Sequence, residues 1–246
     1  MGLDPWVVLG LFVLLAYTTE AVTGFGSIVI ALALGALLLP IPEMLPVLVP
    51  LNVVMTGYLC AQHWRDVDTN LLGRFILPWM GAGTLIGYLL IPWLGHSLLK
   101  LLLGGLILWF SARQLRLLLQ HRTPESHTPV TSRALTLGAG LTHGLFASGG
   151  PMLVSAMTGI PLPREVFRAT LLSVWLVLNT GLSLLFLVDG SLQNGADRLV
   201  WFIPLVVLGA WVGNHLQPYL NERLFRMMVF SVLAVTGVIL MAGSIY

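Results

Sequence analysis

Long apolar stretches alternate with short polar loops along most of the chain. Six of these stretches approach the roughly 20 residues that a helix needs to cross the hydrocarbon core of a bilayer. They cover residues 44–62, 72–92, 97–117, 166–188, 199–217 and 224–245. The pattern predicts six transmembrane helices, and with them an all-α polytopic membrane protein.

Two further apolar runs are interrupted by small residues. Residues 5–39 contain one charged residue, Glu20, and are interrupted at 23–27 (TGFGS), whereas residues 134–160 are interrupted at 147–151 (ASGGP). Glycine and proline break helices, and irregular backbone at membrane depth is tolerated only where protein or a water-filled cavity satisfies its polar groups. We therefore predict that each run is a broken helix or a re-entrant hairpin.

The second half of the chain repeats the first. Residues 75–100 match residues 201–226 at an offset of 126 positions, and the two interrupted runs match at an offset of 124. Pro78, Gly83, Gly87 and Pro92 recur as Pro204, Gly209, Gly213 and Pro218. This predicts two repeats, residues 1–119 and 133–246, joined by a polar cytoplasmic linker at 120–132. Each repeat is a broken or re-entrant segment followed by three transmembrane helices.

The arginine and lysine residues indicate the orientation of the chain. If each interrupted run returns to the side from which it entered, or crosses twice, ten basic residues face one side and only Lys100 and Arg198 the other. If each run crosses once, the split is seven against five. The positive-inside rule favours the first arrangement, which puts both termini outside and gives the repeats inverted topology. The predicted cytoplasmic loops are residues 63–74, 113–133, 161–168 and 218–226.

Composition excludes several classes of protein. With 57% hydrophobic residues, 9% charged residues and a mean hydropathy of +0.91, the chain has too few polar groups to cover a soluble surface. A net charge of +2 is too small and too dispersed for a nucleic-acid interface. The single cysteine, Cys60, excludes an intramolecular disulfide and a multi-cysteine metal site, and we expect no cofactor or metal.

The two breaks are the candidate binding site. A helix that begins within the membrane presents unpaired N–H groups and the positive end of its dipole, which together attract an anion. Glycine allows close approach to the backbone, and hydroxyl groups add donors. The residues assigned to this site are Thr23, Gly24, Gly26 and Ser27 at the first break and Ser148, Gly149 and Gly150 at the second. The alternative is that these small residues only allow helices to pack closely.

Four further residues within the apolar segments are candidates for a functional role. Asn52 and Asn179 occupy equivalent positions in the spans that follow the breaks. Their carboxamides either donate to substrate oxygens or hydrogen-bond a broken helix end. Glu20 and His143 lie just before the two breaks, and ionisable groups within a membrane typically serve function, so we predict proton coupling for both. The alternative is that a backbone carbonyl satisfies each of them.

The sequence at the breaks resembles a known family. The arrangement of 24–27 (GFGS) with apolar residues up to Pro40, and of 148–151 (SGGP) with apolar residues up to Pro161, resembles the TauE/SafE family of sulfite and organosulfonate exporters. The resemblance covers nearly the whole chain. It implies a multi-pass permease of the bacterial inner membrane that exports a small sulfur-containing or carboxylate anion. The expected partners are that anion and membrane lipid, and the chain either acts alone or forms a homo-oligomer.

Two other functions share features of this sequence. A passive anion channel could line its pore with the same helix ends, although Glu20 and His143 favour coupled transport. A remote alternative is an intramembrane serine protease that uses Ser148 with a histidine, either His143 or His215. Against it, Phe146 stands where such proteases carry glycine, and a protease has no reason to duplicate its catalytic segment. We therefore expect a transporter rather than an enzyme.

Overall fold

The computed structural model describes residues 4–23, 26–120, 128–157 and 160–245, and every regular element in these ranges is helical. The prediction of an all-α chain is confirmed for the residues described. The helices are α1 (Pro5–Thr23), α2 (Ser27–Gly35), α3 (Ile41–His63), α4 (Leu77–Leu90), α5 (His96–Gln120), α6 (Pro129–Phe146), α7 (Gly150–Ala156), α8 (Arg164–Val188), α9 (Ser191–Leu216) and α10 (Glu222–Ile245).

Seven of the described helices are long and apolar enough to cross a membrane. Six of them, α3, α4 with its flanking turns, α5, α8, α9 and α10, correspond to the six predicted spans. The seventh is α1, the first part of the first interrupted run. By contrast, α2 has nine residues and α7 has seven. At about 1.5 Å per residue, neither can reach across a core of about 30 Å. The chain is therefore a multi-pass membrane protein.

At the first break, α2 folds back along α1. The N–H of Ser27, the first residue of α2, lies 3.2 Å from the Glu20 carboxylate near the end of α1. At the other end of α2, a Cβ on Gly35 would lie 2.8 Å from the Leu9 side chain. The first residue of α2 thus lies near the end of α1, and the last residue of α2 lies near its beginning. The two helices are therefore antiparallel. Gly26 has a φ of +104°, a conformation that glycine adopts without steric cost, and it precedes α2 at the reversal.

At the second break, α7 lies against α6. A Cβ on Gly149 would lie 2.2 Å from the Ala139 carbonyl oxygen, and one on Gly138 would lie 3.3 Å from the Met152 side chain. The reversal occurs at Ala147, whose φ of 50° falls in the left-handed region that residues other than glycine rarely adopt. Such a conformation persists only where its surroundings hold it in place. The helix is therefore interrupted at both predicted positions.

The helices group into two compact units, and each unit draws on both halves of the sequence. The first comprises residues 1–48, 93–122 and 195–246, and the second comprises residues 49–92 and 123–194. In the first unit α9 packs on α1 and α5 packs on α10, while in the second α4 packs on α6.

The repeated glycines lie at these helix contacts. A Cβ on Gly83 of α4 would lie 2.2 Å from the Leu137 carbonyl oxygen of α6, and one on Gly213 of α9 would lie 2.5 Å from the Thr18 carbonyl oxygen of α1. A Cβ on Gly87 would lie 2.3 Å from the Leu141 carbonyl oxygen of α6, and one on Gly209 would lie 2.9 Å from the Leu14 carbonyl oxygen of α1. At each of these positions a side chain would collide with the backbone of the partner helix. Close helix packing therefore accounts for the repeat of these glycines.

Candidate functional site

The Glu20 carboxylate lies at the N-terminus of α2. Its Oε2 accepts a hydrogen bond from the Ser27 N–H, and the two residues are only 5% and 1% exposed. A negative charge is stabilised there by the unpaired N–H groups and the dipole of the helix. A carboxylate of the chain itself thus occupies the position that the sequence suggested for a substrate anion. Gly24 lies outside the described residues, and of Thr23 the structure describes only the backbone at the end of α1.

A small pocket lies beside this break within the first unit. Its lining residues are Thr19, Gly26, Val29, Ile30, Phe110, Arg226, Val229, Phe230 and Leu233. Arg226 is the one charged residue of that lining, and the Thr19 hydroxyl donates to the Leu15 carbonyl oxygen at 2.8 Å. The pocket has room for roughly one water molecule. In this conformation the pocket is too small for a sulfonate.

At the second break, His143 is fully buried, with 0% of its surface exposed. Neither of its ring nitrogens has a hydrogen-bond partner among the residues that the structure describes. Its ring stacks on Trp175 of α8, with 5.6 Å between the ring centroids and 28° between the planes. Each buried polar atom left unpaired costs about 1–3 kcal/mol. Such atoms in a native structure therefore call for an explanation, and ligand binding is one.

Asn52 and Asn179 bond to each other. The Asn179 Nδ2 donates to the Asn52 Oδ1 at 2.8 Å, and the two residues are 1% and 5% exposed, respectively. The Asn179 Oδ1 has no partner within the described part of the chain. Trp175 precedes Asn179 by four residues, so both lie on the same face of α8. The pairing of the two repeat-related asparagines thus leaves one acceptor atom, the Asn179 Oδ1, without a described partner on a residue one helical turn from Trp175.

The three residues assigned to the second break have different surroundings. A Cβ on Gly150 would lie 3.4 Å from the Trp175 ring, which places Gly150 beside the stack. Gly149 is packed against the Ala139 carbonyl oxygen, and Ser148 is buried with 4% of its surface exposed. We call His143, Gly150, Trp175, Asn52 and Asn179 the second-break cluster. Trp175 was not predicted from the sequence, although its place one turn before an intramembrane asparagine is a usable signal.

The cluster offers hydrogen bonds without a fixed charge of its own. A neutral imidazole supplies one donor and one acceptor, and the Asn179 Oδ1 supplies a second acceptor.

Because neither nitrogen of His143 has a described partner, the structure contains no hydrogen bond from it to Ser148 of the kind that would activate a serine nucleophile. His215 instead stacks on Trp211, with 5.4 Å between ring centroids. The described residues also contain no group of three or more His, Cys, Asp or Glu side chains able to hold a metal ion.

Comparison with protein families identifies the class. A family model described as Sulfite exporter TauE/SafE matches residues 9–240, which is nearly the whole chain. The chain belongs to this family. Comparisons with curated proteins and with solved structures find no match. The family match confirms the resemblance at the glycine breaks. It agrees with the seven apolar helices and indicates a multi-pass membrane transporter rather than an enzyme.

Proposed function

We propose that this TauE/SafE protein is a secondary transporter that exports a small oxyanion across the bacterial inner membrane. The expected substrate is sulfite or an organosulfonate, with a carboxylate as the related alternative, and export is coupled to protons. The observation that carries the proposal is His143, a fully buried imidazole with two unpaired nitrogens beside a helix break. Polar groups inside a membrane protein are costly and are typically kept for substrate or ion pathways.

The substrate-binding side chains are assigned to both breaks, with different roles. At the second break, the imidazole of His143 and the paired carboxamides of Asn52 and Asn179 contact the anion, and Ser148, Gly149 and Gly150 form the adjoining backbone. At the first break, Thr23, Gly24, Gly26 and Ser27 form the equivalent segment. There the Glu20 carboxylate already bonds to the Ser27 N–H, so a substrate anion has to compete with it.

The architecture proposed for transport is a pair of inverted repeats, residues 1–119 and 133–246. The glycine contacts support it, since α4 of the first repeat packs on α6 of the second, and α9 of the second packs on α1 of the first. Each broken segment is thereby held by a helix of the opposite repeat. Two equivalent segments of opposite orientation are the usual basis of alternating access, in which one site opens to each side in turn.

Proton coupling is assigned to Glu20 and His143. Protonation of Glu20 would remove the negative charge from the N-terminus of α2 and weaken its bond to the Ser27 N–H, because hydrogen bonds to charged acceptors are the stronger ones. Protonation of His143 would turn its acceptor nitrogen into a second donor. Either change favours a bound anion, so the site couples anion binding to proton uptake.

The test is counterflow of labelled sulfite into proteoliposomes that contain unlabelled sulfite. In His143→Phe the aromatic ring still fits against Trp175 but the two ring nitrogens are gone, and uptake should fall at least tenfold. His215→Phe is the matched control, because His215 also stacks on a tryptophan but is exposed, and this variant should transport normally. Normal uptake by His143→Phe would show that the second-break cluster is not the site. A wild-type protein that conducts sulfite without counterflow would be a channel.

A further inference from the structure

The second-break cluster contains a hydrogen-bond acceptor that a simple anion cannot satisfy. The amide nitrogen of Asn179 is bonded to Asn52 at 2.8 Å, which leaves the Asn179 Oδ1 as the open atom. This oxygen accepts hydrogen bonds and cannot donate them. An ionised sulfite or a plain alkylsulfonate also has only acceptor oxygens. Such a ligand would leave the Asn179 oxygen unpaired and would place like partial charges against each other.

The surroundings of the cluster make an unpaired acceptor costly. Asn179 is 1% exposed and His143 is 0% exposed. Trp175 packs against a buried apolar group made of Ile76, Met80, Ala139, Leu153, Met157, Val174 and Leu178. In such apolar surroundings a polar atom without a partner loses the hydrogen bonds that it would make with water. The ligand that fits best is therefore one that satisfies both the acceptors and the donor.

We propose that the anion recognised by the second-break cluster carries a hydrogen-bond donor of its own. Hydrogen sulfite and the hydroxyalkyl- or aminoalkylsulfonates belong to this class. The donor of the anion bonds to the Asn179 Oδ1, and its oxyanion group accepts from an N–H of His143. This inference deepens the proposed function and rests on it, because it specifies which anions the transport site selects.

Two sulfonates of the same size separate a donor-bearing anion from a plain one. In 1-propanesulfonate a methyl group stands where 2-hydroxyethanesulfonate has its hydroxyl group. Their apparent dissociation constants are measured from the rise in melting temperature of the purified wild-type protein, since a ligand that binds the folded state raises it. We expect 2-hydroxyethanesulfonate to bind at least tenfold more tightly, because a site built to pair a hydroxyl group discriminates against an analogue that lacks it.

Two variants assign this preference to Asn179. Asn179→Leu replaces the carboxamide with an apolar group of similar size, and the ratio of the two constants should fall to about one. Ser183→Ala is the control. Its hydroxyl lies one turn further along α8 and donates to the backbone oxygen of Asn179 at 2.7 Å, so its loss should leave the ratio unchanged.

The outcomes separate this inference from the proposed function. Equal affinities for the two sulfonates, or a preference for 1-propanesulfonate, in a wild-type protein that transports sulfite would overturn the inference and leave transport standing. A preference that persists in Asn179→Leu would also overturn it. If Asn179→Leu does not fold, the wild-type ratio still decides. A wild-type protein that neither binds the sulfonates nor transports sulfite would overturn the proposed function as well.

Discussion

The Ser27 N–H donates a hydrogen bond to the Glu20 carboxylate across the first helix break, at 3.2 Å. The chain thus supplies its own anion at one of the two positions where the sequence suggested a substrate. Among the described contacts no carboxylate accompanies the second break. The buried ionisable side chain there is His143, whose ring stacks on Trp175. The two breaks are related in sequence but differ in chemistry.

This contact predicts a difference between two Glu20 variants. Glu20→Ala removes the carboxylate that accepts from the Ser27 N–H and should lower the free energy of unfolding by about 1.5–3 kcal/mol, the range for a hydrogen bond to a charged group. Glu20→Gln keeps an acceptor oxygen and should lose less. Thermal unfolding of purified protein measures both, and Glu43→Ala is the control, because Glu43 is exposed in the first turn of α3. Equal stability of Glu20→Ala and wild type would mean that the contact contributes nothing.

The second prediction concerns the close contact between α4 and α6. A Cβ on Gly87 would lie 2.3 Å from the Leu141 carbonyl oxygen and 3.0 Å from the Gly144 Cα, both backbone atoms that cannot turn aside. Gly87→Ala should therefore push the helices apart and lower the free energy of unfolding by about 1–3 kcal/mol, as overpacking does.

Gly81→Ala is the matched control for this contact. Gly81 lies on the same helix, but a Cβ there would meet nothing within 4 Å. Alanine favours helix more than glycine does, so this variant should be neutral or slightly more stable. If the two variants unfold at the same temperature, the contact between α4 and α6 is looser than the structure indicates.

The sequence predicted the helices well because bilayer thickness sets the length of an apolar helix. All six predicted spans correspond to helices long enough to cross, and the helix is interrupted at both glycine clusters. The composition of a break nevertheless does not determine where the following segment goes. That α2 folds back on α1 depends on contacts such as the one between Gly35 and Leu9, which no local pattern encodes.

The candidate site was predicted in outline only. A polar residue in an apolar segment has to face protein, so Asn52, Asn179 and His143 could be selected from the sequence. The residues that they contact could not be predicted, because a small residue or a carboxamide indicates a close contact but does not identify its partner. The bond between Asn52 and Asn179 and the stacking of Trp175 on His143 join residues that are far apart in the chain.

The third prediction concerns orientation and follows from the ten-to-two division of basic residues. A reporter fused after Tyr246 should be active outside the cytoplasm, and one inserted between Thr123 and Thr131 should be active inside it, because basic loops are retained on the cytoplasmic side. Paired enzymatic reporters that work on only one side of the membrane measure this. A cytoplasmic C-terminus would contradict the inverted repeats and restore a single crossing for each broken run.

The last prediction separates the two proton-coupling candidates. A glutamine side chain can hydrogen-bond but cannot titrate. If Glu20 carries the transported proton, Glu20→Gln should remove the pH dependence of net sulfite transport in proteoliposomes. Exchange of sulfite between the two sides should continue, since exchange needs binding and alternation but no net proton movement. If His143 carries the proton, His143→Gln should show this behaviour instead.

The environments of the two residues make the comparison informative. Glu20 is bonded to the Ser27 N–H, so its protonation has to compete with that contact, whereas the nitrogens of His143 face no described partner. Loss of pH dependence in only one variant identifies the carrier. Unchanged pH dependence in both would exclude Glu20 and His143 as carriers. That result would assign both residues to structural hydrogen bonding, and the coupling group would have to be sought elsewhere.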